Sequence, residues 1–156
     1  MADETPAQSN GADAAQPNLA LQAVYLKDCS YEAPQGPRGE AGWKPQINLD
    51  LATTNNPIEG DLHEVVLTVT VSAKQSDKTL FLVEVKQAGI FVMKNLGEPE
   101  VKRSIASICP SVLFPYARAA VSNLVTQGGF PQFLLPPVNF EALYQRAGDA
   151  PPVTKN

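Results

Sequence analysis

Residues 64–73, EVVLTVTVSA, carry the plainest pattern in the chain: Val65, Leu67, Val69, Val71 and Ala73 alternate with Val66, Thr68, Thr70 and Ser72. Successive side chains of an extended chain point to opposite faces, so this pattern predicts a strand with one apolar face. The polar link KQSDK is short enough for a hairpin and leads into a second strand, TLFLVEVKQAGIFVM. There Phe81, Val83, Val85 and Gln87 share one side, and Leu80, Leu82, Glu84 and Lys86 the other. Upstream, QINLDLA sets Ile47, Leu49 and Leu51 opposite Asn48 and Asp50, and TTNNPIEGD reads as turn. The first strand is ALQAVYLKDCSYEA, closed by Pro34; it divides Asp28, Ser30 and Glu32 from Cys29 and Tyr31. Four strands in succession with no helix between them predict an antiparallel meander.

After NLGEPE the period changes. Leu113, Ala117, Ala120, Val121 and Leu124 recur at helical spacing, Gly128 and Gly129 supply a stop, and an earlier helical piece covers VKRSIASIC. Pro115 is expected in the first turn or at a kink, because an interior proline loses a backbone hydrogen bond. FPQFLLPPV is too proline-rich for a regular element, and Asn139 is placed to cap a last helix, NFEALYQRA. Strands followed by helices packed beside them make the fold class α+β. Residues 1–18 and 148–156 have few apolar anchors and are expected to be a flexible arm and tail around one domain at 19–147.

Composition narrows the function. At 156 residues and 44% hydrophobic the chain has material for one core, and runs such as IFVM and SVLF fall short of the ~20 residues that span a bilayer. The opening MADETPAQSNGADAAQP has no basic start or apolar centre, so it is not a secretory signal and a cytosolic protein without membrane insertion is expected. A net charge of -4 with no lysine or arginine cluster argues against a nucleic-acid surface. Two cysteines, Cys29 and Cys109, are too few for a disulfide scaffold.

Little catalytic chemistry is legible. His63 is the sole histidine and the cysteines form no C-x-x-C pair, so no usual zinc site can be assembled. Phosphate-loop, dinucleotide and nucleophile-elbow motifs are absent, and no cofactor or enzymatic activity is expected. Cys109 precedes Pro110 at a helix start, but without a neighbouring base it reads as structural. Asp28 and Glu32, roughly 13 Å apart on a strand, are too far apart for the common glycosidase pairings. Leu82 beside Glu84 has the composition of a docking patch, unless the helices cover Leu80 and Leu82, and Trp43 reads either as a plug at the edge of the core or as one wall of an apolar groove.

The segments KDCSYEAP, WKPQINLDL, EVVLTVTV, GIF, ICPSVLFPYAR and GGFPQFLLPPVNFEAL, in this order from about Val24 to Tyr144, resemble the SecB family of bacterial protein-export chaperones. The resemblance implies a four-stranded antiparallel sheet with helices beside it, assembled as a homotetrameric dimer of dimers. It further implies an ATP-independent holdase that binds unfolded precursor proteins and delivers them to the motor ATPase SecA. On this basis Asp28, Glu32, Leu82 and Glu84 are expected to dock SecA. Trp43, Ile47, Leu49, Leu51, Phe133, Leu135 and Tyr144 would line the client groove, and Phe81, Val83, Val85 and Gln87 would lie at the subunit contact. The tail APPVTKN lacks the charge common in the family, which puts its contact with SecA in doubt. Two other functions stand beside this one: a SecB-like chaperone of a toxin–antitoxin pair, and an apolar small-ligand carrier.

Overall fold

The computed structural model describes residues 16–38 and 42–149. Strands β1 (Asn18–Glu32), β2 (Gln46–Pro57), β3 (Leu62–Gln75) and β4 (Lys78–Lys94) form one antiparallel sheet. Its order is β1-β4-β3-β2, so β2 to β4 are the expected meander, while β1 returns to the far side of β4. The β3–β4 hairpin closes through Ser76 and Asp77, both at positive φ, as a two-residue turn matched to strand twist requires. β2 is longer than its pattern suggests. Thr53, Thr54 and Asn55 pair with Leu67, Val66 and Val65, and continued ladder bonding extends the strand through residues that read as turn.

Helix α1 (Glu98–Arg103), a π-helical segment (Ser104–Ile108) and α2 (Cys109–Gln127) form one run across the sheet. The Cys109 N–H donates to the Ser104 carbonyl, the wider π register, immediately before Pro110, which has no N–H to give. Pro115 lies inside α2 on its exposed side. Gly129, at φ +82°, ends the helix, and Gly128 and Phe130 donate to the Leu124 and Val125 carbonyls. Helix α3 (Phe140–Asp149) is capped as expected: Asn139 Oδ1 accepts from the Ala142 N–H at 3.0 Å. It runs past Ala147 into the expected tail, while residues 1–15 of the arm and 150–156 of the tail lie outside the described residues.

By length and composition the run Glu98–Gln127 could cross a membrane, a feature that short apolar runs do not reveal. Here it is the core helix. Cys109, Leu113, Ala117, Val121 and Val125 are buried with Val65, Leu67, Val69, Val71 and Ala73 of β3 and Phe81, Val83 and Val85 of β4. The described helices cover this one face, and among the described residues the other face of the sheet is left without a layer.

Candidate functional site

The uncovered face owes its composition to register. Asp28, Ser30 and Glu32 of β1 pair with Lys86, Glu84 and Leu82 of β4, which pair in turn with Thr68, Thr70 and Ser72 of β3. Directly opposed residues share a face, so the structure brings Asp28, Glu32, Leu82 and Glu84 together on the helix-free side. Leu82 is exposed among them, and the Glu84 carboxylate accepts a long hydrogen bond from Thr70 Oγ1 at 3.4 Å. Leu82 lies with the carboxylates of Asp28, Glu32 and Glu84, and Lys86 is opposite Asp28 on the same face; the balance of charge is negative, which suits a partner that is basic with an apolar anchor.

On the opposite face an apolar track follows β2. Ile47, Leu49 and Leu51 are each partly open at the sheet edge, and they connect two pockets. A pocket of about 240 Å³ lies between Trp43, Leu80, Phe130, Pro131 and Pro37. Trp43 is 41% exposed with its ring 5.7 Å from that of Phe130, which is itself 5.3 Å from Phe81. Trp43 thus lines this pocket and is not enclosed in the core. A register shift at Ala73/Lys74 leaves Leu80 outside the pairing and lets it join this pocket, away from Leu82.

The second pocket, about 290 Å³, lies between Leu51 and Thr53 of β2, Ile105 of the π segment, and Phe140, Leu143 and Tyr144 of α3. α3 is held there by Glu141, whose carboxylate accepts from Ser107 Oγ at 2.6 Å and pairs with Arg103 at 3.2 Å. Ser107 and then Arg103 keep that carboxyl below its usual range. From Ile47 to Leu51 the track extends about 13 Å at the rise of a strand, with Trp43 beyond its start.

Two expectations need correction. Phe81, Val83 and Val85 are fully buried and Gln87 is 5% exposed, all beneath the helices of the same chain, so these side chains have no surface left to touch another subunit. Gln87 donates to the Tyr25 carbonyl at 3.0 Å, a bond within the sheet. Leu135 is likewise core, whereas Phe133 is only partly buried, with its ring 6.3 Å from that of Phe81. Alternation marks an apolar face but not what covers it.

Pattern reading also missed residues. Phe130, Ile105, Phe140 and Leu143 complete the pockets, and Ile108 at the end of the π segment with Val112 and Tyr116 of α2 form an exposed i, i+4, i+8 row. That row was readable once Leu113 and Ala117 are assigned to the core. Nothing in the pattern signals Glu64, which accepts hydrogen bonds from Lys27 Nζ at 2.6 Å, Asn56 Nδ2 at 3.0 Å and Tyr25 Oη. Lys27, then Tyr25, lower the Glu64 pKa to about 2, and burial with the Glu64 bond raises Tyr25 to about 12.

The described residues include no cluster of three metal-ligating side chains. His63 Nδ1 lies 3.0 Å from Asn55 Oδ1 across the β2–β3 pair, a structural role. Both cysteines are free; burial raises the Cys109 pKa to about 12, which keeps it a thiol.

Fold and surfaces together define an α+β binding protein with an acidic sheet face and an apolar track on opposite sides. The chain belongs to the SecB family: residues 12–150 match the family described as preprotein translocase subunit SecB. Curated relatives include the protein-export protein SecB of Pseudomonas putida, 46% identical with 96% of this chain and 99% of the relative covered. The namesake from Nitrosococcus oceani is 48% identical, with 92% and 90% covered. Among solved structures, a SecB-like chaperone of Mycobacterium tuberculosis, in complex with a peptide from the HigA1 antitoxin, superposes with a TM-score of 0.62 at 17% identity, covering 77% of this chain and 90% of that one. The family is one of protein-export chaperones rather than enzymes.

Proposed function

We propose that this chain is an ATP-independent holdase that binds unfolded preproteins in the cytosol along the β2 track and delivers them to SecA through the acidic sheet face. The observation that carries this reading is the gathering of Asp28, Glu32, Leu82 and Glu84 on one uncovered face while the apolar track lies on the other. Client and motor can then be held at once. Each client side chain seated in a pocket contributes up to ~1.5–3 kcal/mol, less the cost of ordering the chain. A single track therefore binds weakly, and several tracks on one oligomer let a long unfolded chain wrap with useful avidity.

The assembly read here is a homotetramer, a dimer of dimers. Its support is a surface that one chain leaves uncovered: Leu21 and Leu26 of β1, Ile108 of the π segment, and Val112 and Tyr116 of α2 are between 37% and 51% exposed. Ile108 shares a pocket with Leu19 of β1, so the patches are continuous, and a second copy is the natural cover for them. The identity of 46–48% to protein-export proteins favours export over antitoxin service, since the mycobacterial neighbour shares the fold at 17% identity.

The test is to add the protein to an unfolded precursor as denaturant is diluted, following refolding of the precursor and Trp43 fluorescence. Delayed refolding with a Trp43 change, both lost in Leu51→Asp and in Tyr144→Asp, is the expected result. Refolding at the unassisted rate would refute the holdase, and binding of a lipid but not of unfolded chain would point to a carrier.

A further inference from the structure

β1 contains a two-for-one step. Leu26 pairs with Gln87 and Asp28 with Lys86, leaving Lys27 without a partner position. This bulge decides which face the acidic residues occupy, since Tyr25, before it, and Asp28, after it, both face the helix-free side despite their odd and even positions. An unbroken ladder from Tyr25 onward would set Lys27 against Lys86 and turn Asp28 and Glu32 toward the core beside Val85 and Phe81. Glu64 holds the step from two strands away. Its carboxylate reaches diagonally over β4, where Glu64 is opposite Ile90 and Tyr25 is opposite Ala88, to Tyr25 and Lys27, and takes a third bond from Asn56 of β2. Ala88 is fully buried and Val66 is 4% exposed on a face that no described helix covers, which fits a bridge of Tyr25 and Glu64 lying over them.

We propose that Glu64 is a positioning residue for the acidic face: by gripping Tyr25 before the bulge and Lys27 within it, it holds residues 28–32 against β4 with their carboxylates outward. A slip would bury two carboxylates, so loss of the grip loosens this half of the edge strand rather than re-registering it. The inference rests on the reading that this face docks SecA, and its test separates the two.

Glu64→Gln and, as a milder change, Tyr25→Phe are compared with wild type in three readings: SecA affinity, delay of precursor refolding, and NMR of β1. The expected result for Glu64→Gln is SecA affinity roughly tenfold weaker with refolding delay unchanged. Amide exchange at 28–32 is faster and the cross-strand contact between Asp28 and Lys86 weaker, with Tyr25→Phe intermediate. An intact Asp28–Lys86 contact with wild-type exchange in both variants would overturn the proposal. Should Glu84→Lys leave SecA binding intact, the docking reading falls, and the NMR contact alone still decides whether Glu64 holds the strand.

Discussion

Replacing Glu64 with Gln keeps the shape and removes the charge that three donors address. In the folded chain its pKa falls from 4.5 to about 2, chiefly through Lys27 and then Tyr25. At ~1.4 kcal/mol per pKa unit this amounts to roughly 3 kcal/mol. Lys27 is 43% exposed, so solvent screening reduces the expected loss to about 2 kcal/mol. The folded pKa lies below the unfolded one, so this stability is fully present above about pH 5 and is lost as pH falls toward 2. Urea unfolding at fixed protein concentration should show Glu64→Gln less stable by about 2 kcal/mol at pH 7, a Tm roughly 4–8 °C lower, and less than half of that gap at pH 3. A gap that is absent at pH 7, or that stays constant from pH 7 to pH 3, would show that the Glu64 charge does not carry this stability.

Two further predictions concern packing. Tyr31 Oη is enclosed, has no hydrogen-bond partner among the described residues, and lies where a Cβ at Gly128 would collide with it. Tyr31→Phe removes an unsatisfied group and should raise stability by about 1 kcal/mol, seen as a Tm roughly 2–4 °C higher, whereas a lower Tm would show that the hydroxyl is satisfied. Val112→Asp combined with Tyr116→Asp places two carboxylates on the exposed row of α2. It should reduce the mass measured by light scattering at micromolar concentration while leaving the circular dichroism of the subunit intact; an unchanged mass would remove α2 from the assembly surface.

Period-two and helical patterns located every strand and the core side of α2, because burial on one face leaves a periodic trace whatever the fold. The extent of β2 was not legible, since Thr53, Thr54 and Asn55 read as turn and are strand only because β3 pairs with them. Nor could the pattern show that β1 lies against β4. That long-range pairing creates the acidic face, and the resemblance to SecB, not periodicity, singled out its four residues together. Phe81, Val83 and Val85 illustrate the opposite failure: their alternation was right, while the layer that covers them proved to be the chain's own helices. Glu64 left no trace because its partners meet through a bulge, which interrupts the periodicity that pattern reading depends on.

Isothermal titration of SecA with wild type and with Glu84→Lys, both first shown by light scattering to have the same mass, measures whether the acidic sheet face docks the export motor. Docking on this face gives saturable binding by wild type and at least a tenfold loss in the variant, with delay of precursor refolding retained. Equal binding by both proteins, or none by wild type, would contradict it.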